Sequence, residues 1–282
     1  MSAEALSFPA PAKLNLMLHV VGRRADGYHL LQTVFRFVDY GDEVRIGVRT
    51  DGRICRTQGA PGVAEDDDLT VRAARLLQTA TGTALGAGID LVKRLPIGGG
   101  LGGGSSDAAT VLLALNHLWG TRLTRADLQA LGLRLGADVP VFVFGESAFA
   151  EGVGEVLRPI ALPPAWYVVL IPPVSVPTAG IFADPELKRD SKPIKIQGFS
   201  AGTAVDGNDL EPLVCRLYPE VARHLEWLRQ HGPALMTGSG ACVFAAFGTE
   251  REARDVMGRV PQTMRGFVAR GLDRHPLREL AG

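Results

Sequence analysis

The feature that most limits what this chain can fold into is a glycine-rich stretch, residues 96–109, in which six glycines occupy seven consecutive positions. An apolar segment that predicts a short strand (89–95) precedes it, and an apolar segment that predicts a helix (108–118) follows. Glycine has no Cβ, so this backbone can curl with its N–H groups inward and let a phosphate approach closely. The start of the following helix adds free N–H groups and partial positive charge. The stretch therefore predicts a polyphosphate site rather than a flexible linker.

Other phosphate-binding motifs fit this stretch less well. No Gly-Lys-Ser/Thr ending is present, which excludes a P-loop. The spacing of Gly98, Gly100 and Gly103 matches the dinucleotide fingerprint, but the acidic residue expected about 20 positions later falls where residues 121–130 predict a helix start. Two serines follow the glycines and can cap the helix or face a Mg²⁺ ion. We therefore expect ATP, with Mg²⁺, as the ligand.

Composition narrows the class of protein further. The 282 residues are 46% hydrophobic and 21% charged, as in a globular protein, and 30 basic residues balance 30 acidic ones. This balance argues against binding to nucleic acid or to an acidic membrane surface. No apolar run has the length of a membrane span, and the first residues do not resemble a signal peptide. Three cysteines that lie far apart favour reduced thiols, so we expect a cytoplasmic protein without a structural metal.

The pattern of elements predicts an α+β protein with two domains. Before residue 160, alternation and helical periodicity predict strands at 14–21, 31–38, 43–48 and 139–144 and helices at 69–80 and from Thr124 to Gly136. After that point the predicted elements are strand 166–171, helix 220–229, strands 234–236 and 242–247, helix 250–257 and strand 266–270. This second order, βαββαβ, is typical of a ferredoxin-like domain. We therefore predict domains at 1–160 and 161–282, with a polar loop at 188–207.

Five motifs together resemble one known superfamily. They are Pro96-x-x-x-Gly-Leu-Gly with Ser105-Ser106, Pro11-Ala-Lys-Leu-Asn-Leu16, Arg24-Ala-Asp-Gly-Tyr-His29, Gly136-Ala-Asp-Val-Pro140 and Thr237-Gly-Ser-Gly-Ala-Cys242. The chain is similar over nearly its whole length to the galactokinase, homoserine kinase, mevalonate kinase and phosphomevalonate kinase superfamily. The resemblance implies a first domain like ribosomal protein S5 that binds ATP, and an active site between the domains. Within the superfamily, the motifs look like those of the branch that phosphorylates a tertiary hydroxyl of a cytidine-diphosphate-linked alcohol in non-mevalonate isoprenoid synthesis.

The resemblance assigns the catalytic roles to two charged residues. Asp138 would accept the proton of the substrate hydroxyl, while Lys13 would favour the charged carboxylate and stabilise transition-state charge. Asn15 alternates with Lys13 on one strand face and would bind the substrate hydroxyls. From the residues alone, Asp138 is equally well a turn or cap carboxylate, and Lys13 a solvated lysine at a strand edge.

The remaining site residues also come from the resemblance. Tyr28 and Phe182 would stack on the two faces of a cytosine and His29 would contact its edge, with hairpin packing and core packing as the alternatives for the two rings. The residues implied for the substrate's phosphates are Thr178, Thr237, Gly238, Ser239 and Gly240. Those implied for ATP are Asp68, Leu69, Lys93, Pro96, Gly98, Gly99, Gly100, Leu101, Gly102, Gly103, Gly104, Ser105 and Ser106. Asp68 departs from the asparagine expected there. An ionised carboxylate cannot donate a hydrogen bond, so the alternative for Asp68 is that it serves only as a helix N-cap.

Three alternative functions stay open from sequence. A superfamily kinase for a small alcohol such as homoserine would need no stacking residues like Tyr28 and Phe182. A non-catalytic ATP-binding relative would be expected to lack Lys13 or Asp138, and both are present. A nicotinamide oxidoreductase rests only on the weak glycine fingerprint. We expect a monomer or weak homodimer, and we interpret Cys242 as a packing residue because no histidine near it in sequence could activate it.

Overall fold

A computed structural model gives the fold and describes residues 5–196 and 207–281. Within these ranges ten strands form one continuous sheet. The strands are β1 (Leu6–Arg23), β2 (His29–Arg49), β3 (Ile54–Gln58), β4 (Gly86–Val92), β5 (Ala148–Glu151), β6 (Val156–Pro159), β7 (Trp166–Ile171), β8 (Ala234–Met236), β9 (Val243–Phe247) and β10 (Arg265–Leu272). The helices of the described part are α1 (Leu69–Thr81), α2 (Gly103–Leu118), α3 (Arg125–Leu133), α4 (Val139–Phe144), α5 (Thr178–Ala183), α6 (Glu211–Leu217), α7 (Pro219–Arg229) and α8 (Glu250–Met257).

The first half is built on the long antiparallel pair of β1 and β2. Their register runs from Leu6 opposite Ile46 to Arg23 opposite His29, and β4 and β5 also pair with β2. Helix α2 is apolar on nearly every face and is buried along most of its length, as expected for a central helix. It packs against α1, α4 and β1, so the glycine-rich stretch that precedes it is anchored in the core.

In the second half the elements predicted after residue 160 appear in the predicted order. Strands β7 to β10 are antiparallel, with the spatial order β10–β7–β9–β8, and α7 and α8 connect them. Each helix has one apolar stripe, which explains why periodicity located both. Helices α5 and α6 are additional and were not predicted.

The two halves are joined by the last strand and by the segment after it. Strand β10 pairs with β2 through Gly271 opposite Val38, so the two parts of the sheet are continuous. Leu277 and Ala281 are buried in the core of the first half, and the Arg125 guanidinium donates to the Ala281 carbonyl. Beside this junction β1 carries the motif that contains Lys13.

Several predicted elements differ from the structure. Residues Val139–Phe144, predicted as a strand, form helix α4. Their apolar run is buried from 139 to 143 without alternation, so periodicity could not separate strand from helix, and Pro140 is accepted in a first helical turn. The strands predicted at 31–38 and 43–48 are one strand, β2. Of the predicted loop at 188–207, residues 188–195 contain no helix or strand and 197–206 lie outside the described residues.

Candidate active site

Three successive carbonyl groups of the glycine-rich loop are held on one side by hydrogen bonds. These run from the Cys242 N–H to Gly99 (3.1 Å), from Thr237 Oγ1 to Gly100 (3.3 Å) and from the Lys13 N–H to Leu101 (3.0 Å). In a trans peptide the C=O and the next N–H point in opposite directions. The N–H groups of Gly100, Leu101 and Gly102 are therefore turned away from these partners, and the loop residues line a cleft. This is the arrangement that an anion site requires.

Glycine is required in the loop by conformation and by space. Gly98, Gly100 and Gly102 have φ of 70°, 75° and 70°, in the left-handed region. A Cβ on Gly100 would lie 2.2 Å from the Thr237 carbonyl oxygen, because the loop runs directly against the turn between β8 and β9. The two glycine-rich motifs of the sequence are thus in contact.

The two serines after the glycines have different surroundings. The N-cap of α2 is Gly102, without a side-chain capping bond, so the prediction that a serine caps this helix is wrong. The buried Ser106 hydroxyl donates to the Pro11 carbonyl at 2.7 Å and is not part of the cleft wall. Ser105 lines the cleft. Only Ser105 is therefore placed to meet a ligand there.

Lys13 and Asp138, 125 positions apart in the sequence, form an ion pair at the cleft wall. Their Nζ and Oδ2 atoms are 3.3 Å apart, and Lys13 Nζ also donates to Asn15 Oδ1 at 2.5 Å. The Lys13 side chain is 3% exposed, whereas that of Asp138 is 37% exposed. Asp138 stands at the N-terminus of α4 but makes no capping bond. The buried Lys13 therefore contradicts the alternative of a solvated lysine, and Asp138, which does lie in a turn, is not a capping carboxylate.

Asn15 is fixed by bonds to both halves of the molecule. Its Nδ2 donates to Thr33 Oγ1 at 2.8 Å, and its backbone N–H donates to Thr237 Oγ1 at 3.0 Å. Its side chain lies on the same face as Lys13, as the alternation predicts. Asn15 thus links β1 to the turn between β8 and β9.

A residue that sequence analysis missed supports that turn. The buried Asn208 side chain donates to the carbonyls of Met236 (2.8 Å) and Gly238 (2.7 Å). Thr178 and Ser239 are also joined, hydroxyl to hydroxyl, at 2.6 Å. Nothing in the sequence near Asn208 marks it, because its partners are backbone groups about 30 positions away.

At the other end of the cleft three residues predicted for the base come together. Tyr28 is 64% exposed, and the rings of His29 and Phe182 pack at 4.9 Å between centroids. Arg189 Nε donates to His29 Nε2 at 3.0 Å. Burial, followed by the charges of Arg189 and Arg23, lowers the pKa of His29 below its ordinary value. His29 is therefore a neutral ring near pH 7.

Lys93 is held between two buried carboxylates. Its Nζ lies 2.6 Å from Asp42 Oδ2 and 2.7 Å from Asp107 Oδ2. Burial works against the ammonium, but Asp107 and Asp42 outweigh it and raise the pKa of Lys93. Burial, reinforced by the charge of Asp42 and opposed by Lys93, raises the pKa of Asp107. Asp42 also accepts from the N–H groups of Arg94 and Leu95, so it fixes the entry to the glycine loop.

Asp68 is the N-cap of α1, accepting from the Thr70 N–H at 2.8 Å, so the cap hypothesis is confirmed. Its second oxygen accepts from Arg56 Nη1 at 2.5 Å. Burial favours the neutral acid, but the hydrogen bonds from Thr70 and Arg56 prevail and lower the pKa of Asp68. The ionised carboxylate is thus already occupied by protein donors.

One cleft of about 940 Å³ collects nearly all predicted site residues. Of these, Thr237 and Ser106 alone are not in its wall. Cys242 is buried, and burial raises the pKa of its thiol to about 12, which confirms the packing interpretation. Among the described residues, no group of three His, Cys, Asp or Glu side chains could hold a metal, and no helix has the length and apolarity to cross a membrane.

Comparison with known proteins agrees with this geometry. Residues 68–146 match the family model of the GHMP kinases N terminal domain, and residues 197–266 match that of the GHMP kinases C terminal. The fold and the cleft thus define a GHMP kinase, a class of small-molecule phosphotransferases.

Curated relatives place the chain more narrowly. The 4-diphosphocytidyl-2-C-methyl-D-erythritol kinase of Thiobacillus denitrificans is 68% identical over 96% of this chain and 97% of the relative. That of Nitrosospira multiformis is 64% identical over 98% and 94%. A crystal structure of 4-(cytidine 5'-diphospho)-2C-methyl-D-erythritol kinase matches with a TM-score of 0.81 and 37% identity over 94% of this chain and 99% of that one. The chain belongs to the GHMP kinase family, in its branch of 4-diphosphocytidyl-2-C-methyl-D-erythritol kinases.

More distant structures share the fold alone. The homoserine kinase of Cytophaga hutchinsonii matches with a TM-score of 0.72 at 17% identity, over 97% of this chain and 96% of that one.

Proposed function

We propose that the chain transfers the γ-phosphate of ATP to the 2-hydroxyl of 4-diphosphocytidyl-2-C-methyl-D-erythritol, a step of non-mevalonate isoprenoid precursor synthesis. The observation that carries this proposal is the Lys13–Asp138 pair, 3.3 Å apart, in the wall of one cleft. The glycine loop lines the same cleft, as do Tyr28, His29 and Phe182. An acid–base pair in one cleft with a polyphosphate site and a base site fits transfer between two nucleotide-containing molecules.

Asp138 is the proposed acceptor of the hydroxyl proton. Its carboxylate is partly exposed, makes no capping bond and is paired with Lys13, so an oxygen is available to an alcohol that enters the cleft. As the hydroxyl oxygen attacks the γ-phosphorus, its proton passes to the carboxylate, the bond between the γ-phosphorus and the β–γ bridging oxygen breaks, and ADP leaves. The buried Lys13 ammonium stabilises the negative charge of the transferring oxygens, because little water screens it. Asn15, bonded to Lys13, is proposed to contact the substrate hydroxyls.

ATP is proposed to bind with its phosphates at the N–H groups of the glycine loop and at the start of α2. Asp68, Leu69 and Lys93 are proposed to surround the adenine. Mg²⁺ neutralises phosphate charge when bound, and the residues present fit it, since the Ser105 hydroxyl lines the cleft and is not taken by the Pro11 carbonyl as Ser106 is. Because no group of three acidic, histidine or cysteine side chains among the described residues could hold a metal, magnesium would be held mainly by the phosphates.

The cytidine is proposed to lie at the end formed by Tyr28 and Phe182, with His29 at its edge. An exposed tyrosine ring is costly to leave in water and is available for stacking. Thr178 is bonded to Ser239 in the turn at 237–240, and that turn is itself bonded to Asn15 beside the Lys13–Asp138 pair. We therefore assign Thr178 and the turn to the substrate's diphosphate.

We also propose a specific fold type for each of the two domains. The spatial order β10–β7–β9–β8 with two connecting helices supports a ferredoxin-like second domain at 161–282, and the β1–β2 layer with α1 and α2 supports an S5-like first domain at 1–160. We further propose a cytoplasmic monomer or weak homodimer that binds small molecules rather than nucleic acid or membrane.

The test is a coupled assay of ADP release with three acceptors, 4-diphosphocytidyl-2-C-methyl-D-erythritol, homoserine and mevalonate. Turnover is expected with the cytidine substrate alone, and the phosphorylated carbon is identified by ³¹P NMR. Turnover of homoserine or mevalonate but not of the cytidine substrate would overturn the assignment.

A further inference from the structure

The base end of the cleft is organised by a residue that the motifs do not contain, Arg189. Its side chain makes five hydrogen bonds to described residues, and none of them is to a carboxylate. Nε donates to His29 Nε2 at 3.0 Å, and Nη2 donates to the Phe182 carbonyl at 3.0 Å. One guanidinium thus holds the two residues proposed to contact the base.

The bond to His29 fixes which ring nitrogen carries hydrogen. A guanidinium has five donors, no acceptor and no accessible deprotonated form, so the ring nitrogen facing it must accept. In a neutral imidazole the other nitrogen is then the N–H donor. His29 is only 9% exposed, its ring lies 4.9 Å from that of Phe182, and its lowered pKa agrees with a neutral ring. Nδ1 has no partner among the described residues, and His29 lines the cleft.

A fixed N–H donor distinguishes the two pyrimidines. The edge of cytosine offers acceptors at N3 and O2, whereas uracil carries a hydrogen on N3. A donor at His29 Nδ1 therefore bonds cytosine N3 and faces a second donor in uracil, which leaves two N–H groups opposed. The other tautomer of His29 would reverse this preference.

We propose that Arg189 is the specificity-determining positioning residue of the base site: it holds His29 as the Nδ1–H tautomer and so selects cytosine over uracil. The inference rests on the proposed function for the identity of the substrate, but its structural part concerns the free protein. Arg189 also fixes the end of α5 through the Phe182 and Asp184 carbonyls, so the ring of Phe182 and the edge donor are set together.

The first test needs no substrate. The chain has six histidines, few enough to resolve by ¹⁵N NMR of histidine-labelled protein at pH 8, with His29→Gln to assign the signal. We expect hydrogen on Nδ1 and a bare Nε2 in the native protein, and a mixture of tautomers in Arg189→Met. Hydrogen on Nε2 of native His29 would overturn the proposal.

The second test measures specificity by titrating the cytidine substrate and its uridine analogue into each variant. In Arg189→Met the preference for cytidine should fall by about tenfold, the equivalent of one hydrogen bond. Arg189→Lys, which still only donates, should keep the ratio even where both ligands bind more weakly. A purely structural role would weaken both ligands of Arg189→Met equally and leave the ratio unchanged, which contradicts the proposal. Failure of the native protein to bind either ligand would count against the proposed function, while the tautomer would still be decided by NMR.

Discussion

The two ends of the cleft differ in the groups that line them, which are main-chain groups at one end and side chains at the other. At the proposed phosphate end the groups turned toward the cleft are backbone N–H groups. They are held in place because the Gly99, Gly100 and Leu101 carbonyls accept bonds from β1 and from the turn after β8. At the base end the corresponding groups are side chains on short connecting segments, oriented largely by Arg189. The geometry of backbone groups is determined by the fold, whereas the identity of a side chain can change with a substitution at a single position. We therefore expect substrate choice to be determined by the side chains of the base end.

The largest expected effect lies between the two ends, at the catalytic pair. Asp138→Asn and Lys13→Met should each lower kcat by about a hundredfold or more, because a transition-state contact is lost. Binding of a non-hydrolysable ATP analogue should change little. Single-turnover phosphoryl transfer, with a thermal melt for folding, measures this. Asp66→Asn, in an exposed ion pair with Arg75, is the control. Near-native rates in the two variants would remove the pair from catalysis.

The next effect tests whether the phosphate end depends on backbone. Gly100→Ala places a Cβ 2.2 Å from the Thr237 carbonyl oxygen, so loop and turn must separate and ATP-analogue affinity should fall by more than about tenfold. Gly62 has the same φ of 75° but nothing within 4 Å of its Cβ, so Gly62→Ala isolates the cost of the conformation, about 1–2 kcal/mol of stability. Calorimetric titration and melts compare the two. Equal ATP affinity in both variants would show that the contact is unimportant.

The converse effect, on the cytidine substrate instead of ATP, is expected at the base end. Stacking is worth about 1–3 kcal/mol per base, so Tyr28→Ala should weaken binding of the cytidine substrate by about ten- to a hundredfold. Phe182→Leu should weaken binding less, because leucine keeps part of the apolar contact. ATP-analogue affinity should be unaffected. Tyr28 is 64% exposed, so its loss should leave the melting temperature unchanged. Titrations with both ligands decide this, and a parallel loss of ATP affinity would mean that the two ends are not independent.

The smallest effect is expected from thiol modification at the phosphate end. Burial raises the pKa of Cys242 to about 12, so at pH 8 the reactive thiolate is almost absent. Native protein treated with iodoacetamide at pH 8 should keep its activity, and peptide mass spectrometry should find Cys242 unlabelled until the protein is denatured. The partly exposed Cys55 serves as the internal control. Rapid labelling of Cys242 would show that this wall of the cleft opens readily.

Sequence analysis predicted what short-range patterns encode. The glycine loop, the helix start at Thr124 and the amphipathic helices α1, α7 and α8 were located because a few consecutive residues encode each of them. The residues of the cleft were located by resemblance, and the structure brings nearly all of them to one wall.

What escaped prediction depends on distant backbone groups or on uniform burial. Asn208 and Arg189 act on carbonyls and on a ring nitrogen that only the tertiary structure brings to them. Asp42 accepts from Arg94 and Leu95, about 50 positions later. The helix at Val139–Phe144 was predicted as a strand because its first five residues are all buried, so the short apolar run has no period that separates the two.

The return of the last residues to the first half has a consequence for how the molecule can be divided. A fragment ending at residue 160 would lack Leu277 and Ala281, which fill part of its core, and would leave Arg125 without the carbonyls of Arg278 and Ala281. Strand β10, which joins the two parts of the sheet, would also be missing from its place beside Val38. We therefore expect the two predicted domains to unfold together, and we expect a gene split after residue 160 not to give two independently stable products.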